Sequence, residues 1–116
     1  MGVSVVRRSR VNGKTVPDAL QHHAITEVYE VVSGCGTLAT GEMLDGAKEL
    51  EDPDVAREIG PSAEGVTVKG GKAERIGPGD IVIISPDTPH GFTEICREGI
   101  SYVLVRIDPH RVLQLR

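Results

Sequence analysis

Short runs of β-branched and aliphatic residues recur along the chain, separated by glycine- and proline-rich punctuation. The first run is 3–6. The second covers about 21–32 and ends in Ser33-Gly34-Cys35-Gly36, which predicts a turn with 37–40 as the return strand of a hairpin. Residues 66–68 precede Gly70-Gly71, and 73–76 precede Gly77-Pro78-Gly79-Asp80. The remaining runs are 81–84, 92–95 and 101–107. Short strands at such spacing predict an all-β sandwich or barrel.

Residues 42–65 depart from this pattern: they are polar and carry a helix signature. Asp52 can cap exposed amides, and Pro53 suits the first helical position. Val55 and Ile59 give one apolar stripe, and Gly60 with Pro61 stops the helix. The expectation is a short helical insertion over the barrel surface or its mouth. Elsewhere Val28, Val31 and Val32, the 81–84 run and Val103 with Val105 are apolar on both faces of their strands. Strands of that kind must be covered on both sides. So short a chain has little material for the cover, which predicts a homodimer through an outer sheet face, with 3–6 available to pair onto a neighbour's edge.

The 116 residues suit one domain, 1–116, and 26% charged with 39% hydrophobic residues is an ordinary globular balance. A net charge of −4 argues against nucleic acid as a partner. No aliphatic run approaches the roughly 18 residues of a membrane span. Arg7, Arg8 and Arg10 are followed by no apolar stretch, so no secretory signal is expected. Cys35 and Cys96 form no paired motif, and their spacing permits a bridge. The favoured expectation is two idle thiols in a reducing, cytoplasmic setting.

Candidate chemistry rests on the histidines. If residues 21–32 are one strand, alternation puts Gln21, His23, Glu27 and Tyr29 on one face and His22 on the other. A buried carboxylate beside an imidazole needs a counter-charge or a metal. Downstream, the aliphatic run 81–84 leads into Ser85-Pro86-Asp87-Thr88-Pro89-His90, where two prolines brace the loop that presents His90.

Together these segments resemble the two motifs of the cupin superfamily. The first, a Gly, then His-x-His, three or four residues, Glu, six residues and Gly, is matched by Gln21-His22-His23, Glu27 and Gly34. The second, Gly, five residues, Pro-x-Gly, two residues, His, three residues and Asn, is matched by Gly79, Ser85-Pro86-Asp87, His90 and Glu94. The resemblance covers about 21–94 and implies a jelly-roll β-barrel with a ligand or metal pocket inside. It also implies a metal set at Gln21, His23, Glu27 and His90, for a divalent transition metal such as Fe, Mn, Ni or Zn. Gln21 stands where the family has its first His, and an amide oxygen is a weaker ligand than imidazole for Fe, Ni or Zn. The longer spacing would make His22 the ligand instead, which requires a bulge before Glu27. Asp87 stands where the family has a turn glycine, and Asp tolerates left-handed backbone.

Tyr29 shares the inward parity of Glu27, while Phe92 and Glu94 share that of His90. Tyr29 and Phe92 are expected to wall the pocket, and Glu94 is a candidate general base. Arg106 lies in an aliphatic strand and could clamp a substrate carboxylate or extend to solvent. Three functions stay open, since cupins host all of them. One is a metal-dependent enzyme on a polar small molecule, of dioxygenase, isomerase, cyclase or lyase type. The second is a non-catalytic small-ligand-binding cupin, and the third a barrel that works through its outer surface.

Overall fold

A computed structural model describes residues 2–9, 19–65 and 67–108. Its elements run β1 (Gly2–Arg8), β2 (Ala19–His22), β3 (Thr26–Asp45), β4 (Lys48–Glu49), α1 (Pro53–Ile59), β5 (Ser62–Gly65), β6 (Thr67–Ile76), β7 (Ile81–Ile84) and β8 (His90–Ile107). The all-β expectation holds. The strands join in one curled antiparallel sheet of order β4-β5-β2-β8-β3-β6, with β1 paired to β8 and β7 to β3. Among the described residues no helix is long and apolar enough to cross a membrane. Arg10 and Val66, both noted in the sequence, lie outside the described residues, as does His110.

The predicted hairpin at residues 33–36 is replaced by continuous strand. β3 runs straight through Gly34 and Gly36 and pairs with β8 from Thr26↔Ile107 to Thr40↔His90. The glycines serve irregularities in this ladder, whose register shifts between Val31 and Ser33, Gly34 and Gly36, and Thr37 and Leu38. Gly34 has φ +74°, and a Cβ there would sit 1.9 Å from the Gly99 carbonyl oxygen, so the two chains cross at a point only glycine fits. The second strand expectation also changes. Residues 21–32 are not one strand, because the chain bends at His23 and Ala24 between β2 and β3.

Helix α1 forms as expected: Asp52 Oδ1 accepts the Asp54 amide at 2.9 Å, and Gly60, at φ +80°, ends it. The segment around it is more integrated than an insertion. Residues 42–45 finish β3, and β5 pairs with β2, burying Ser62 and Ala63. The main core gathers Tyr29, Val31, Leu38, Phe92, Ile95 and Tyr102 with their aliphatic neighbours inside the curl. Tyr29 and Tyr102 stack there with centroids 4.5 Å apart.

Residues 3–6, expected to be available to a neighbour, pair within the chain, in unbroken register with β8. Cys35 and Cys96 are not idle thiols but a disulfide, with Cα atoms 5.3 Å apart. The bridge removes one ground for a reducing, cytoplasmic setting.

Candidate metal centre

The cluster is built from three strands. Leu20 of β2 pairs with His90 at the start of β8, so β2 delivers His22 beside that ring. Glu27 enters from β3, where it pairs with both Ile84 of β7 and Arg106 of β8. His22, Glu27 and His90 are each 4% exposed or less, and their ligand atoms lie within 4.8 Å of one another. His22 Nε2 is 3.1 Å and His90 Nε2 3.2 Å from the same oxygen, Glu27 Oε1. Arg106 Nε donates to the other oxygen, Oε2, at 3.1 Å. The Tyr29 hydroxyl lies 3.5 Å from Oε1.

Partners behind the rings decide what faces the carboxylate. The Ser62 hydroxyl donates to the Gly60 carbonyl at 2.9 Å, so it accepts from His22 Nδ1 at 2.7 Å. His90 Nδ1 lies 3.0 Å from the Thr88 carbonyl, which can only accept. Both Nδ1 atoms are thereby assigned their protons, and in neutral rings both Nε2 lone pairs aim at Glu27. Two imidazole lone pairs and a carboxylate oxygen then converge with no proton among them. Protonating both Nε2 atoms instead would bury two imidazolium ions, with the Arg106 guanidinium beside them, against a single carboxylate. Burying that many charges is costly. A divalent cation satisfies the three acceptors at once. Two ligands held at about 2.1 Å from one ion and at right angles are about 3 Å apart, which the observed separations match. Hydrogen-bonded Nδ1–H groups are also how metal-binding histidines are oriented.

Electrostatics agree that Glu27 stays ionised. Burial pushes its carboxyl up, but N–H donation and positive charge at His22 and His90 would outweigh burial and hold it well below the usual carboxylate range, a role that falls to a cation where both Nε2 atoms are bare. Tyr29 is pushed far up, first by burial and then by the Glu27 charge, so its phenol keeps its proton.

The expected ligand set is corrected in two places. His22, expected to point outward, is the buried ring at Glu27, and His23 is turned away. His23 is held outside by Asp87 Oδ1 at 2.6 Å on Nδ1 and Glu49 Oε1 at 2.7 Å on Nε2. Those hydrogen bonds, Asp87 first, raise its pKa. Gln21 follows His23 outward, and its Nε2 donates to the Asp87 carbonyl at 3.1 Å. The physical reason is the bend after His22. There the His23 amide donates to the Pro61 carbonyl at 2.8 Å and alternation is broken before Glu27. Asp87 does occupy a left-handed conformation, φ 61°, as expected of the turn position.

Tyr29 and Phe92 wall the cavity, as parity predicted, and Arg106 lines it rather than extending to solvent. Glu94 does not reach it. Its side chain is 64% exposed and lies 4.0 Å from Arg75 Nη1. The shift between Thr37 and Leu38 explains this. Phe92 pairs with Leu38 and Glu94 with Thr37, so β8 gains a residue and parity flips between them. Three further residues were missed in the sequence: Leu20, Arg8 and Ser62. Leu20 and Arg8 line the cavity, which has a volume of about 100 Å³, and Ser62 orients His22. Leu20 was legible in principle, two residues before His22 on one strand face.

No family model and no curated protein matches this sequence.

Proposed function

We propose that this chain is a cupin-type jelly-roll protein that holds a divalent transition metal on His22, Glu27 and His90 and acts on a polar small molecule. The convergence of two oriented Nε2 lone pairs on one carboxylate oxygen carries this reading. With four residues between histidine and glutamate, the first cupin motif maps to Leu20-Gln21-His22 and Glu27, so leucine stands at the first histidine position. Two histidines and one carboxylate suit iron(II) with open positions, and also admit Mn, Ni or Zn. When bound, the ion supplies a Lewis acid or a redox centre. The chain's own residues do the rest. Arg106 fixes Glu27, Tyr29 keeps a phenolic proton beside it, and Phe92 with Tyr102 forms an apolar wall. A cavity of about 100 Å³ admits a small molecule or the end of a larger one. Arg8 and Arg106 in its lining favour an anionic group there.

The alternative, a ligand-binding cupin without catalysis, is favoured by one observation: Glu94 lies outside the cavity, which removes the expected general base. The deciding experiment reconstitutes metal-free protein with Fe(II), Mn(II), Ni(II) and Zn(II) in turn and measures bound metal by mass spectrometry. One ion per chain is expected from at least one metal, and none from any of them overturns the reading.

The proposed assembly is a homodimer through the outer face of β1, β8, β3 and β7. Val3, Val105, Val28 and Ile83 pair successively across those four strands and form one outward row. Val3 is 66% and Ile83 68% exposed, an apolar surface of the kind that marks an interface. Sedimentation at micromolar concentration should give twice the chain mass, and Ile83→Lys should give a monomer; wild-type monomer at that concentration ends the proposal.

A further inference from the structure

The Cys35–Cys96 bridge sits away from the metal centre, where the β3–β8 ladder is most irregular. Between the pairs Gly34↔Ile100 and Gly36↔Ile95, β3 supplies Cys35 alone, while β8 supplies Cys96, Arg97, Glu98 and Gly99. Both cysteines are half-buried, which leaves a path to sulfur. Arg75 reaches across from β6. Its Nη2 donates to Cys35 Sγ at 3.2 Å and to Cys96 Sγ at 3.3 Å.

A disulfide sulfur is a weak acceptor, so a guanidinium gains little from a neutral bridge. A thiolate in the same place makes a charge-assisted hydrogen bond, about twice as strong as a neutral one. Cationic neighbours lower thiol pKa and make the thiolate a better leaving group. Two carboxylates oppose this. Glu98 lies within 4.8 Å of both sulfurs, and Glu94 is 4.0 Å from Arg75 Nη1. An ionised carboxylate cannot donate to sulfur, whereas Nη2 donates to both, so Arg75 is the direct partner of a thiolate formed there.

We propose that Cys35–Cys96 is a thiol–disulfide exchange site for a low-molecular-weight dithiol, with Arg75 holding the departing thiolate. The dithiol's thiolate bonds to one Sγ, the Sγ–Sγ bond breaks, and its electron pair leaves on the other Sγ against Arg75. The second thiolate of the same dithiol then attacks its own mixed disulfide and displaces the first cysteine. The protein bridge is reduced by two electrons, the dithiol is oxidised by two to its cyclic disulfide, and the thiol protons pass to solvent or to the cysteines.

The test uses the full chain and dithiothreitol. Thiols are counted by alkylation and mass spectrometry while near-ultraviolet circular dichroism follows the fold. Wild-type protein should open the bridge while still folded, and absorbance at 240 nm should place a thiol pKa below the ordinary value of about 8.5. Arg75→Gln should raise that pKa and slow reduction several-fold, Arg75→Lys should restore most of the rate, and Glu98→Gln should speed it. A role for Arg75 in packing alone would shift the melting temperature and leave the thiol pKa unmoved. The proposal fails if the bridge opens only on unfolding, or if Arg75→Gln leaves the rate and pKa at wild-type values.

Discussion

Glu27 Oε1 and His90 Nε2 are 3.2 Å apart, although the two residues lie at opposite ends of the β3–β8 ladder. Glu27 pairs with Arg106 at one end, and His90 pairs with Thr40 at the other. From Glu27 to Thr40 a straight strand would extend about 43 Å at 3.3 Å per residue. The whole molecule measures 35 Å in its longest direction. The ladder therefore curls back until its ends meet, and the cluster exists only because the sheet is curled in this way. Its register shifts, and the Gly34–Gly99 crossing among them, lie on the path of that curl.

Removing the two neighbouring histidines separates ligand from bystander. His22→Ala should abolish stoichiometric metal in elemental analysis of reconstituted protein, while His23→Ala, whose ring bonds Asp87 and Glu49 outside the cavity, should retain it. The opposite pattern would return the site to the register that the sequence suggested.

Ser62→Ala leaves His22 Nδ1 without its acceptor and its ring less firmly oriented. Loss of such an outer partner costs about 10–100-fold in metal affinity. Competition with a chromophoric chelator should show that drop with the fold intact by far-ultraviolet circular dichroism.

Leu20→His should add a fourth donor. Leu20 lines the cavity and pairs with His90, two residues before His22 on the same strand. Chelator competition should show tighter binding of Ni or Zn than in wild type, whereas Gln21→His, on the opposite face, should leave affinity unchanged.

Gly34→Ala should destabilise the fold by more than about 1 kcal/mol, because alanine is ill-suited to positive φ. The Gly99 carbonyl, 1.9 Å from the Cβ position, adds a clash. Urea unfolding of the oxidised protein measures the loss. Ile100→Ala, deep in the core, should cost about 2–5 kcal/mol in the same assay.

The sequence by itself determined the all-β character, helix α1 with its stop, and the inward placement of Tyr29 and Phe92. Each depends on local chemistry: turn punctuation, an Asp–Pro start, or alternation within one uninterrupted strand. It also singled out Glu27 and His90. Which histidine joins them was decided by a bend at His23 and Ala24, held from outside by Pro61 and Asp87. Parity counts residues along a chain and cannot register a bend held by neighbouring loop residues. The exposure of Glu94 has the same origin, since one extra residue in β8 turns Glu94 over until the next irregularity, between Ile95 and Ile100, restores the parity. The disulfide and the fusion of two expected strands into β3 were likewise fixed by long-range pairing. Glycines read as a turn become irregularities once a partner strand runs alongside them. Tertiary structure alone oriented both Nε2 atoms, because the Ser62 hydroxyl and the Thr88 carbonyl act on rings that only the curl of the sheet brings together.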